Sequence, residues 1–259
     1  MTMDGSRAQS APEVGLIHHL ACSGGTIISR AIAAMPGVVL LSEQHPEQAM
    51  ARRTDPLKQA QAAGAPVTDV DVSDRFARDI ELIADRCAGA DLRLIVRDHA
   101  NRDFLGTDRC RLLTREVLGA VMTVQSICTV RHPVDTWLSL QASGWFGGTV
   151  PDFLTRYEAF ASYAVDLGFE RYEDFVTDAD AVLGRMCSDL GVPFDPAWRG
   201  RLDDVSHMTG GSGRASTQVA PRPRRRASVE LLGEFERNRP YARVLDALGY
   251  EPARAKEAA

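Results

Sequence analysis

The residues best suited to chemistry fall in a few short stretches: Cys22-Ser23-Gly24-Gly25-Thr26-Ile27, Ser42-Glu43, Arg97-Asp98-His99, and Arg131 with Ser139. The first is a small-residue loop between an apolar, strand-like run at 14–20 and an apolar helical pattern that begins at Ile27. Such a junction aims backbone N–H groups and a helix N-terminus at one point, which suits a phosphate or sulfate. Gly24 and Gly25 let the backbone approach an anion, and Ser23 and Thr26 add hydroxyl groups. No Gly-Lys-Ser/Thr follows, so this is not a Walker A loop. Taken alone, the loop is a weak signal and fits an ordinary strand-to-helix turn better.

Residues 126–130 read as a strand that delivers Arg131 at its carboxyl end, and Pro133 suits the first turn of a helix. Ser139 follows about two helical turns later, on the face that begins beside Arg131. A guanidinium and a hydroxyl at one junction can clamp a second phosphate. Either residue by itself also fits a solvated surface position.

The elements that must position these residues read as alternating strands and helices. Strands are expected at 14–20, 38–41, 92–96 and 124–130. Between them, Phe76, Ile80, Ile83 and Cys87 share one helical face, as do Leu112, Leu113, Val117 and Val121. Helices at 151–166, 179–190, 196–205, 228–238 and 240–248 make the second half mostly helical, with Asp178 and Ser228 as caps. The fold class is α/β: a single domain with a P-loop-like parallel sheet flanked by helices, with ligands outside the carboxyl ends of the strands. Ser42, Glu43, Arg97, Asp98, His99 and Arg131 then converge with the first loop on one rim. The domain is expected over 13–252, with flexible ends at 1–12 and 253–259. Residues 44–72 read as an insertion or lid, and 209–227 as a glycine-rich then basic loop.

At 259 residues, with 44% apolar residues, the chain can bury a sizeable core. A formal net charge of −5 gives no reason to expect nucleic acid or acidic membrane as a partner. No signal-peptide or membrane-span pattern is present, and the 5 scattered cysteines point to reduced thiols in a cytoplasmic protein. No Asp/Glu/His cluster calls for a metal. Oligomeric state is not legible.

The ordered motifs resemble the sulfotransferases that use 3′-phosphoadenosine 5′-phosphosulfate (PAPS), particularly the bacterial and tyrosylprotein-type members. Arg131-His132-Pro133-Val134-Asp135-Thr136-Trp137-Leu138-Ser139 matches their Arg-x-Pro-x-Asp-x-x-x-Ser segment in full, and Tyr172-Glu173-Asp174-Phe175 with Leu190-Gly191-Val192-Pro193 is similar to a third family segment. The likeness runs from about Val14 to Tyr250. It implies that residues 22–27 bind the 5′-phosphosulfate, that Arg131 and Ser139 bind the 3′-phosphate, and that arginines of the 209–227 loop, Arg222 and Arg224 among them, close over the nucleotide. It implies transfer to a hydroxyl of a small molecule or carbohydrate, leaving 3′-phosphoadenosine 5′-phosphate (PAP). Glu43 matches the tyrosylprotein-type catalytic glutamate. His99 matches, more loosely, the histidine of the cytosolic small-molecule enzymes, since Arg97-Asp98-His99 replaces their Lys-Thr-His. The basic residue that the family places just before Ser-Gly is Cys22 here. His19, Arg30 or the arginines at 222–226 could replace that charge; otherwise the chain is a slow enzyme or a non-catalytic PAP-binding relative. A P-loop phosphotransferase is the remaining alternative, weakened by the missing Walker lysine. Trp137 and Trp145 fit either the core or a wall of the acceptor pocket, with Trp137 reading as core.

Overall fold

The strand β1 (Glu13–His19) is buried along almost its whole length because it lies in the middle of a five-stranded sheet. This computed structural model describes residues 13–50, 54–205, 208–209, 219–221 and 224–254. The expected flexible N-terminus, most of the 209–227 loop including Arg222, and most of the tail lie outside the described residues. The other strands are β2 (Val38–Gln44), β3 (Arg93–Asp98), β4 (Thr123–Val130) and β5 (Phe169–Arg171). Their order is β2-β3-β1-β4-β5, and every pairing is parallel.

The helices are α1 (Gly25–Ala33), α2 (Pro56–Ala62), α3 (Asp69–Gly89), α4 (Leu113–Gly119), α5 (Pro133–Ser143), α6 (Val150–Leu167), α7 (Tyr172–Thr177), α8 (Ala179–Asp189), α9 (Val229–Glu236) and α10 (Arg239–Leu248). They cover both faces of the sheet, as a parallel sheet requires. On one face Val14, Leu16, Leu94 and Val96 meet Phe76, Ile80 and Cys87 of α3. On the other, Ile17 and Ile95 meet Ile28 and Ile32 of α1 and Leu183 and Met186 of α8. A third cluster joins Cys128 and Val130 of β4 to Phe153, Tyr157 and Phe160 of α6 and Val244 of α10. Each such fully buried side chain contributes on the order of 1.5–3 kcal/mol.

The four expected strands and most helices form where the sequence places them. Asp178 and Ser228 accept from Ala181 N and Leu231 N, as caps should. Three differences stand out. Residues 196–205 do not form an α-helix; Pro196–Arg201 is a 3₁₀ helix, pinned by the Asp195 cap and by the Trp198 indole N–H, which donates to Asp180 Oδ1 at 2.8 Å. Helix α4 is short and ends at Gly119, so Val121 falls beyond it and is exposed, while Leu112, Thr114 and Leu118 turn inward. The short β5 follows a left-handed Gly168 and adds an unforeseen edge to the sheet. Among the described residues no helix is long and apolar enough to cross a membrane.

Candidate active site

The loop after β1 is held from within. The Ser23 hydroxyl donates to Leu20 O at 2.7 Å, and the Ser23 N–H points to the same carbonyl. Ser23 is therefore buried and braces the turn, whereas its type had suggested a donor for the anion. Gly24 adopts φ 87°, and a Cβ there would meet the Tyr172 ring at 2.1 Å. A Cβ on Gly25 would meet the His19 ring at 2.2 Å. Only glycine fits this close approach. Cys22, Gly24, Gly25, Thr26 and Ile27 line a cavity of about 900 Å³.

Arg131 enters the same cavity from the end of β4. Its Nη1 donates to Cys22 O at 3.0 Å and reaches Ser139 Oγ at 3.4 Å. Its guanidinium lies over the Tyr172 ring, 5.0 Å from the centroid. The buried Tyr157 hydroxyl donates to Arg131 O and so fixes the strand end. His132 caps α5, and its backbone N–H donates to Glu173 Oε1 at 3.0 Å. Burial, with Arg224 nearby, lowers the His132 pKa to about 4, so the ring is neutral at pH 7.

Arg224 is turned away from the cavity. It pairs with the buried Asp135 at 2.9 Å, tying the basic segment to α5. Arg225, one of the arginines at 222–226 that the sequence offers, lines the cavity instead. Among the described arginines of this segment Asp135 pairs with Arg224, a preference that does not follow from the order of the arginines in sequence.

The opposite wall comes from β2 and β3. Register places Leu41 opposite Val96 and Gln44 opposite Asp98, so Ser42 and Glu43 both face Arg97 across a β-bulge. Glu43 takes φ 53° there. Arg97 is 2% exposed, and all five of its N–H groups have partners. Nε donates to His19 Nε2 at 2.8 Å, and Nη1 to Ser42 Oγ and Thr209 O at 3.0 and 2.9 Å. Nη2 donates to Thr26 Oγ1 at 3.2 Å and Glu43 Oε1 at 3.1 Å. The second Glu43 oxygen, Oε2, accepts from the Thr209 hydroxyl at 2.8 Å. Burial and then Arg97 push the His19 pKa down to about 3, so His19 carries no positive charge at pH 7. Arg30 lines the cavity, but its Nη2 donates to Leu202 O at 2.8 Å.

His99 also lines the cavity, with the Gln48 side-chain nitrogen 2.9 Å from its Nδ1. Burial lowers its pKa. Asp98, expected on the rim, points largely inward: Oδ2 lies 2.8 Å from His18 Nδ1, and both residues are buried. Trp137 packs in the core against Phe153, whereas Trp145 is 51% exposed and lines the cavity. Sequence missed Gln48 and the part played by Tyr172, and it did not say which arginine of 222–226 reaches the cavity. Arg97 was visible only as one more polar strand end.

The loop after β1 leads to one side of the sheet and the segment after β4 leads to the other, so the cavity sits where the chain direction switches. Two solved structures share this arrangement over almost their whole length. The sulfotransferase domain of the Synechococcus PCC 7002 olefin synthase is 18% identical, aligned over 93% of this chain and 96% of that chain, with a TM-score of 0.54. A sulfotransferase from Alicyclobacillus acidocaldarius is 13% identical over 92% and 96%, with a TM-score of 0.50. The fold is the sulfotransferase fold. No family model and no curated protein matches the chain in sequence. Within this sulfotransferase fold the cavity collects the loop, Arg131 with Ser139, Glu43 and His99 at the carboxyl ends of four adjacent strands.

Proposed function

We propose that the protein is a PAPS-dependent sulfotransferase acting on a hydroxyl of a small molecule or carbohydrate. One observation carries this reading: Arg131 bridges from Ser139 to Cys22 O, so two anion-holding clusters share a single cavity. A nucleotide phosphorylated at both ends of its ribose needs that pair of clusters. The glycine cradle and the roughly 900 Å³ cavity suit such a ligand.

Bound PAPS supplies a sulfuryl group whose bond to the 5′-phosphate breaks as the acceptor oxygen bonds to sulfur, the electron pair staying on the phosphate oxygen of PAP. The backbone N–H groups at 24–27 and the start of α1 hold the 5′ end. Arg131 and Ser139 hold the 3′-phosphate, and Arg225 covers the nucleotide from the basic segment. Glu43 takes the proton of the acceptor hydroxyl, and His99 positions that hydroxyl. A cytoplasmic setting goes with this reading.

Calorimetry with PAP and ATP, followed by PAPS turnover, tests it. PAP should bind and ATP should bind far more weakly. Glu43→Gln should lower kcat by about a hundredfold, the usual scale for a positioned proton acceptor. Preference for ATP would instead indicate a phosphotransferase, and PAP binding without turnover a non-catalytic relative.

A further inference from the structure

Breaking the sulfur–oxygen bond of a phosphosulfate leaves negative charge on the phosphate oxygen, and a nearby cation must meet it. This loop offers a cysteine, not a lysine or arginine, at the position before Ser23. The other basic side chains lining the cavity have contacts of their own. His19 is neutral, Arg131 bridges Cys22 O and Ser139, and Arg30 is tied to Leu202 O. Arg225 stands on an exposed segment. Arg97 alone among the described residues joins a buried guanidinium to a hydroxyl of the loop, Thr26.

We propose that Arg97, reaching in from β3, supplies the positive charge that Cys22 does not, and delivers it to the sulfuryl end of the donor through Thr26. The inference rests on the sulfotransferase reading. Because Thr26 Oγ1 accepts from Arg97, the Thr26 hydroxyl proton is left to point at the ligand. Five satisfied N–H groups hold the guanidinium without a rotamer change, in a site where water screens little. Burial lowers the Arg97 pKa, but from so high a value that the group stays charged at pH 7.

The pairing with Glu43 gives the charge its timing. With both groups ionised, the Arg97–Glu43 pair is neutral overall and repels nothing. When Glu43 accepts the proton of the acceptor hydroxyl, its carboxylate charge disappears and the pair becomes net positive. That happens as the phosphate oxygen gains its electron pair. Proton uptake on one side of the cavity therefore exposes the cation where the leaving group needs it, and Arg97 works as a positioning and charge-supplying residue for both steps.

Hydrolysis of PAPS, with water as acceptor, and calorimetry with PAP test this without a known acceptor. Arg97→Gln should slow PAPS hydrolysis, read as PAP formation, by about a hundredfold or more. Adding Cys22→Lys to Arg97→Gln should recover at least about tenfold, because the charge returns by the loop route, whereas Cys22→Lys in the wild type, where Arg97 already supplies the charge, should gain little. Glu43→Gln should tighten PAP several-fold, since it leaves the Arg97 charge uncompensated. Thermal unfolding checks that each variant is folded. If Arg97→Gln does not fold, the Glu43→Gln affinity decides: unchanged or weakened PAP binding overturns the inference. A rate insensitive to Arg97→Gln, or a double variant no faster than the single, overturns it while leaving the sulfotransferase reading intact. Wild-type protein that neither binds PAP nor hydrolyses PAPS overturns both.

Discussion

Arg131 shows how much one side chain can organise. It touches the loop carbonyl, the Ser139 hydroxyl and the Tyr172 face, and its own backbone is clamped by Tyr157. Arg131→Ala should weaken PAP by roughly 1.5–3 kcal/mol, the range for a lost charge-assisted contact. Adenosine 5′-phosphosulfate, which lacks the 3′-phosphate, should lose much less. Equal losses in calorimetry with both ligands would remove the 3′-phosphate role. At this scale the sequence was legible where chemistry follows from spacing within one segment. Arg131 and Ser139 lie eight positions apart across one strand–helix junction, and they meet. It was not legible where direction depends on register or on a partner far along the chain. Ser23 has the right type, yet its hydroxyl closes the turn. Arg97 gains its meaning only from His19, Thr26, Glu43 and Thr209, which arrive from three other segments.

Among the elements, the strand-to-helix unit formed by β1, the loop and α1 depends on Gly24. Its φ of 87° is disfavoured for an L side chain, and the Tyr172 ring of α7 occupies the space a methyl group would need. Gly24→Ala should cost about 1 kcal/mol or more in backbone strain alone. It should also displace Tyr172 from beneath Arg131, so PAP affinity should fall together with stability. Denaturant unfolding and PAP calorimetry on the same variant check this; a stable variant with full affinity would show that the loop tolerates a wider turn. The strands were readable as apolar runs because β1, β3 and β4 are covered on both faces. The three residues of β5 are too few for any periodicity to register. The bulge in β2 left no mark either, since Ser42 and Glu43 look like a strand end until β3 is laid beside them.

In the whole molecule, two neutral histidines are locked inside the fold. Burial lowers the pKa of His19 to about 3 and that of His132 to about 4, against about 6.5 in an unfolded chain. Below pH ~6.5 the unfolded chain takes up protons that these rings refuse, so their contribution to stability is complete above that value and is lost as pH falls toward 4 and then 3. The urea midpoint should drop between pH 7 and 5, before most carboxylates titrate. His132→Asn should flatten part of that slope, and a midpoint constant over this window would mean that the rings gain protons without unfolding.

The contacts that build the cavity span long stretches of chain. Arg131 and Cys22 are 109 positions apart, Arg97 and Thr26 are 71, and Arg97 and Thr209 are 112. No fragment of neighbouring elements contains the pocket. During synthesis the loop after β1 leaves the ribosome early and waits through most of translation for the residues that complete the cavity around it. Until Thr209 emerges, Arg97 lacks one of its acceptors and Glu43 lacks its second donor. Ligand binding at this cavity is thus a late event in the life of each chain, and a molecule that binds there reports that folding has reached its last third.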